Sequence, residues 1–199
     1  MPEELDELTL ARARRGEPTA LSQLVKVYQR PVFALCGRLM CSRSSAAVDD
    51  VAQEAFIRVF RGIARFDPQG PARLSSWILT VATRVCLNAL RGQRREQPLN
   101  GAALGAVAPS ANPEQQALVE EDRRRVEAAM AALPEEMRAV LVLRAYHDLD
   151  YPEIASALEV EVGTVKSRLS RARAALRKAL CRQDEDPGAC DDNEEEQRA

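Results

Sequence analysis

The apolar residues of this 199-residue chain recur at spacings of three and four, and no segment alternates convincingly. A helix brings residues three and four apart onto one face, whereas a half-buried strand needs a period of two. Val48, Val51, Ala52, Ala55, Phe56, Val59, Phe60 and Ile63 make one wide apolar face. Leu74, Trp77, Ile78, Val81, Ala82, Val85 and Leu87 repeat the pattern before arginines take over. Aromatics are only 4%, and Ala, Leu, Arg and Glu dominate, a composition that favours helices over strands. The expected fold class is therefore all-α.

Helices are expected at about 5–15, 19–40, 46–65, 75–95, 113–132, 134–147, 151–158 and 163–182. Pro31 should break or kink the second. Three breaks organise the chain. EQPLNGAALGAVAPSANPE, with three prolines, two glycines and no apolar period, reads as a linker. LPEE at Leu133 restarts a helix, with Pro134 in its first turn and acids behind it. DEDPGACDDNEEEQRA is too charged and too poor in apolar residues to fold alone. The layout is two small helical domains, 5–95 and 114–182, joined by a flexible linker at 96–113 and followed by an acidic tail at 183–199.

No run approaches the roughly 20 apolar residues of a membrane span. The N-terminus MPEELDELTL is acidic rather than a signal peptide, so a cytoplasmic protein is expected. Five cysteines without a CxxC pair argue against a disulfide framework or a zinc knuckle. The formal charge of −2 averages opposed parts: the tail carries eight acids against Arg198, leaving residues 1–182 at +5. A basic body points toward an anionic partner.

That charge is concentrated near the end. Between Glu161 and Asp184 stand Lys166, Arg168, Arg171, Arg173, Arg177, Lys178 and Arg182, and no acid. The preceding residues give YPEIASALEVEVGTVKSRLSRARAAL the spacing of a helix-turn-helix over about 151–173. Ile154, Ala155, Leu158, Val160, Val165 and Leu169 supply its inner face. Thr164, Lys166, Ser167, Arg168, Ser170, Arg171 and Arg173 are then candidates for a duplex major groove, with arginines for guanine edges and phosphates and short hydroxyls for close approach.

Three segments in order resemble the extracytoplasmic-function (ECF) group of bacterial sigma factors of the sigma-70 family, over about residues 5–182. DDVAQEAFIRVFRGIARFDP resembles region 2.2, LSSWILTVATRVCLNALRGQRRE regions 2.3 and 2.4, and LPEEMRAVLVLRAYHDLDYPEIASALEVEVGTVKSRLSRARAAL region 4. The resemblance implies a transcription initiation factor that binds core RNA polymerase through the β′ clamp helices and the β flap. Region 2 would recognise the −10 element and region 4 the −35 element of promoter DNA. No catalysis and no cofactor are implied. An anti-sigma factor is a common partner in the family, though nothing in this chain requires one.

Asp49, Asp50, Gln53, Glu54 and Phe56 fall on the segment that docks on polymerase. The acids there also suit the positive end of a helix dipole. Arg84, Asn88, Arg91 and Arg95 share one face, with Arg94 beside it, and suit an unstacked single strand. In the family the preceding loop captures a flipped base; here it is DPQGPAR, which contributes Asp67, Gln69 and Arg73. Trp77 lies on the apolar stripe, where core packing competes with base stacking. Where primary sigma factors carry a second tryptophan this chain has Ile78, which implies weaker intrinsic melting of DNA.

Two departures stand at the helix-turn-helix turn. Glu159 replaces the usual Gly and Glu161 the usual Ser, so the turn should be strained. His147 has no evident partner and is expected at a helix end on the surface. Cys36, Cys41 and Cys86 read as packing residues. Cys181 and Cys190 are a thin ligand set for a metal or redox switch, and the tail could instead solubilise the chain or fold back on the cationic helix. A stand-alone repressor would use the same helix-turn-helix, but it has no need of a docking helix or a single-strand face. An adaptor that binds partners through its helices alone has no need of the outward arginines.

Overall fold

The computed structural model describes residues 4–41, 43–93 and 113–181. Among them there are eight α-helices and no strand: α1 (Glu7–Arg14), α2 (Pro18–Leu39), α3 (Ser45–Gly62), α4 (Leu74–Gln93), α5 (Pro113–Ala131), α6 (Glu135–His147), α7 (Tyr151–Leu158) and α8 (Val162–Cys181). A 3₁₀ turn at Ile63–Arg65 extends α3. Each expected helix is present: α7 matches its expected span, the end of α3 comes three residues early, where the 3₁₀ turn takes over, and the other ends lie within two residues of expectation. Pro31 does not break α2, which runs through it for 22 residues. Leu24, Tyr28, Val32, Leu35 and Leu39 are buried along one stripe, so packing outweighs the lost backbone donor.

The helix ends follow local chemistry. Asp6 caps α1 by accepting from Thr9 N–H at 2.8 Å, and Ser44 caps α3 through Ala47 N–H. Asp150 and Glu153 close α7 with a reciprocal capping box. Asp148 and Glu159 end α6 and α7 in the left-handed region, at φ 53° and 55°. The strain expected at Glu159 therefore has a backbone cause, of about 1 kcal/mol for a residue with a Cβ.

Helices α1–α4 form the first unit. Val48, Val51, Ala52, Ala55, Phe56 and Val59 of α3 meet Ile78, Leu79, Ala82, Val85 and Cys86 of α4 in its core. Helices α5–α8 form the second around Val140, Val142, Leu143, Leu149, Ile154, Val165 and Leu169. The two units are packed together, α4 on α7 and α2 on α6. Arg138 of α6 joins them. Its guanidinium is buried and donates to the carbonyls of Met130, Ala131 and Leu133 at the end of α5, and at 2.7 Å to that of Leu39 at the end of α2. A cation there meets the negative ends of two helix dipoles.

Candidate nucleic-acid interface

The cationic face of α8 is built by its apolar stripe. Val165, Leu169 and Ala172 point into the core, which leaves Lys166, Ser167, Ser170, Arg171 and Arg173 exposed on the opposite side. Arg171 is braced by its own helix, donating to the Ser167 carbonyl at 3.3 Å. Lys166 Nζ lies 5.9 Å from the centre of the Tyr151 ring. Arg168 differs from its neighbours. It is half-buried and pairs with Glu136 in the first turn of α6, so it anchors α8 to α6. Thr164 is half-buried, and its carbonyl accepts from the Ser167 hydroxyl at 3.0 Å.

Helix α4 offers a second face. Arg84, Asn88 and Arg91 are exposed at spacings of four and three, as the sequence pattern requires. Arg94 and Arg95 lie outside the described residues. The loop before α4 is closed by Asp67, whose carboxylate accepts from Gln69 N–H and whose carbonyl accepts from Gly70 N–H. Asp67, Gln69 and Arg73 are exposed. This loop and α1 border a cleft of about 470 Å³ whose walls include Glu7, Arg14, Phe66, Gln69 and Arg73. Glu4 holds the cleft's edge in place, accepting hydrogen bonds from the Ser75 hydroxyl at the start of α4 and from Tyr28. Burial and the nearby Glu4 carboxylate push the Tyr28 phenol up, so it remains a neutral donor.

Trp77 is partly buried. Its ring packs on Phe66, with centroids 5.3 Å apart, and lies over Gly62, where an added Cβ would come within 3.1 Å of it. The wall of α3 opposite this core carries Asp49, Asp50 and Gln53, all exposed, and Glu54, which pairs with Arg58 at 2.7 Å. Phe56 is only 7% exposed; it belongs to the core and supports this face from beneath. Ile57 is 42% exposed on the same side, one turn beyond Gln53. It carries no charge or polar group that would single it out in the sequence as part of a docking face. The signal was its place outside the three-and-four stripe.

His147 corrects another expectation. It ends α6 but is buried, and its Nε2 has no hydrogen-bond partner among the described residues. Burial, then the nearby Arg38 guanidinium, lowers its pKa to about 4, so the ring is neutral near pH 7. Cys36 and Cys86 pack as expected, fully buried with sulfurs 3.4 Å apart, and Cys41 is half-buried. The hydrogen bond to Cys36, then burial, raises the Cys86 thiol, which keeps it protonated and unreactive. Cys181 is half-buried; Cys190 and the acidic tail lie outside the described residues. No cluster of metal-ligating side chains occurs among the described residues, and no helix there is long and apolar enough to cross a membrane.

Comparison with known proteins bears directly on this arrangement. Residues 24–96 match the family model for sigma-70 region 2, and residues 123–176 that for sigma-70 region 4. The chain is 35% identical to the ECF RNA polymerase sigma-E factor of Escherichia coli (strain K12) over 186 residues, covering 88% of this chain and 95% of that protein. It is 32% identical to the RNA polymerase sigma-H factor of Pseudomonas aeruginosa over 189 residues, 90% and 96% of the respective chains. Among solved structures it resembles CnrH in complex with the cytosolic domain of CnrY, with a TM-score of 0.62, 26% identity and coverage of 89% and 97%. The fold also matches RpoE of Bartonella quintana bound to the anti-sigma factor NepR, with a TM-score of 0.65, 19% identity and coverage of 80% and 96%.

Proposed function

Because the chain belongs to the ECF group of the sigma-70 family, we propose a division of labour along its length. The protein is a promoter-specific transcription initiation factor and is not itself catalytic. The observation that carries the finer reading is the presence of two separate polar faces, on α4 and α8, each opposite its own apolar stripe.

Residues 5–95 form the region 2 domain, 96–113 the linker and 114–182 the region 4 domain. Asp49, Asp50, Gln53, Glu54 and Ile57 dock on the β′ clamp helices, the acids meeting a basic protein surface around one exposed apolar anchor. Arg84, Asn88 and Arg91, with the loop residues Asp67, Gln69 and Arg73, hold the opened −10 strand; Trp77 stiffens the base of that loop through Phe66. Lys166, Ser167, Ser170, Arg171 and Arg173 read the −35 duplex, with Arg168 positioning their helix. The region 4 domain also meets the β flap. An anti-sigma protein would restrain the factor by covering its polymerase-binding faces. The site of action is the cytoplasm.

Each DNA module alone binds weakly and with strong salt dependence, and joining them makes the second contact intramolecular. Run-off transcription with core polymerase on sheared genomic DNA, with and without this protein, tests the assignment. Discrete new transcripts that share two upstream elements are the expected result. Protection of duplex DNA by the protein alone, without transcripts, would favour the stand-alone regulator.

A further inference from the structure

We propose that residues 4–14 belong to the −10 site, with the Glu4 carboxylate serving as the N-cap that α4 lacks and so fixing where loop 67–73 ends. The inference rests on the assignment of that loop and of the α4 face to the opened −10 strand.

Helix α4 starts without a cap of its own. Trp77 N–H donates to the Arg73 carbonyl at 3.0 Å, which places Arg73 at the cap position. An arginine side chain carries donors only, so it cannot accept from the free N–H groups of the first turn. A Ser, Asp or Asn there would accept from the second or third of them. Glu4 does this from 71 positions away. Its Oε1 accepts from Ser75 N–H at 3.4 Å and from the Ser75 hydroxyl at 2.5 Å. Ser75 is fully buried, so these donors depend on Glu4 rather than on water. A carboxylate also suits the positive end of the α4 dipole.

Glu4 is itself held. Its Oε2 accepts from the Tyr28 hydroxyl of α2 at 3.2 Å, and the same phenol oxygen accepts from Leu5 N–H at 3.3 Å. Tyr28 is 1% exposed, which fixes this pivot in the core. Two residues beyond Glu4, Asp6 caps α1. Helix α1 then packs on the 3₁₀ turn at Ile63–Arg65, just before the loop. The N-terminal segment therefore grips both flanks of loop 67–73, α1 at the entry and Glu4 at the exit. Gln69 and Arg73 line the same cleft as Glu4, Glu7 and Arg14, so a shift of the segment moves the walls that meet the strand.

Charge and capping act in opposite directions here. An acid beside a nucleic-acid strand repels its phosphates, so on charge alone Glu4→Ala would bind the strand more tightly. Without the cap, the first turn of α4 frays, and only the fraction of chains with the loop in place can bind. Glutamine separates the two effects, since its amide oxygen still accepts from Ser75 while the charge is gone.

The test uses the full chain as wild type, Glu4→Ala, Glu4→Gln, Ser75→Ala and the double alanine variant, with Arg91→Ala as the marker of the α4 face. Exchange of Ser75 N–H, followed by NMR, reads the cap. Fluorescence anisotropy of a fluorescein-labelled, mixed-sequence single strand of about 20 nucleotides, with saturating core polymerase and against core alone, reads strand binding. Glu4→Ala is expected to exchange Ser75 N–H about tenfold faster and to bind the strand roughly threefold more weakly. Glu4→Gln should bind at least as tightly as wild type. Ser75→Ala should weaken binding, and the double variant should be no weaker than Glu4→Ala, because both changes break one contact. Unchanged or tighter binding by Glu4→Ala, where Arg91→Ala weakens it, overturns the proposal. So does unchanged Ser75 exchange. If Arg91→Ala also leaves binding unchanged, the −10 assignment itself falls, and Ser75 exchange still decides whether Glu4 caps α4.

Discussion

Replacing Arg138 by methionine tests the account of how the two units are joined. Arg138 is 4% exposed, and every hydrogen bond its guanidinium makes among the described residues ends on a main-chain carbonyl: 2.9 Å to Met130, Ala131 and Leu133, and 2.7 Å to Leu39. Methionine fills much of the same volume but donates nothing. Each charge-assisted bond is worth about 1.5–3 kcal/mol, so the four lost bonds amount to roughly 6–12 kcal/mol gross. Relief of a buried charge returns several kcal/mol of that. The net loss expected is about 3–5 kcal/mol, a large part of the ~5–15 kcal/mol that stabilises a domain. Urea unfolding of the full chain, followed by circular dichroism, measures it. Arg138→Lys should recover little, since one ammonium cannot reproduce a planar fork that reaches the ends of α2 and α5 together. A loss under about 1 kcal/mol in Arg138→Met, or full rescue by lysine, would refute the view that this side chain joins the units by satisfying two helix ends.

Three further outcomes follow from local geometry. His147 has a folded pKa near 4 against about 6.5 unfolded, so its contribution is present above pH 6.5 and is lost as pH falls toward 4. Between pH 7 and 5.5 the wild type should lose about 1.3 kcal/mol more than His147→Gln by urea titration; parallel pH profiles would count against burial of a neutral ring. Gly62→Val should destabilise by about 2 kcal/mol and red-shift the emission of Trp77, the chain's single tryptophan, because its side chain must displace a ring already 3.1 Å from an ideal Cβ. An unshifted spectrum would show that the ring has room to move. On duplex promoter DNA, Arg171→Ala should reduce the salt slope of binding by about 1, whereas Arg168→Ala should leave that slope nearly unchanged and cost about 0.5 kcal/mol of stability through Glu136. Equal slope changes in the two variants would return Arg168 to the DNA face.

Much of the fold was legible because helical order is local. A side chain's face is set by neighbours three and four positions away, so the stripes on α3, α4 and α8 could be read directly, and with them the opposite polar faces. The same logic placed Asn88 and Arg91 outward and gave α7 its exact span. Pro31 shows where locality fails: its cost is fixed by its ring, but the buried stripe of α2 decides whether the helix survives it. Phe56 and Ile57 show the finer limit. They are adjacent apolar residues: the three-and-four stripe takes in Phe56 and leaves Ile57 off, but how far Ile57 is exposed depends on where the neighbouring helices stop.

The sequence alone determined the helices, the two-domain layout and the cationic helix, since each depends on residues within a turn or two. The tertiary structure alone decided what happens between the units. Glu153 meets Ser76 across 77 positions, Arg84 meets the end of α7 across 72 and 73, and Arg138 meets Leu39 across 99. His147 is buried for the same reason, because α6 lies against α2. No periodicity encodes such pairs. They arise when two preformed surfaces dock, and their partners are chosen by shape and by helix ends left unsatisfied.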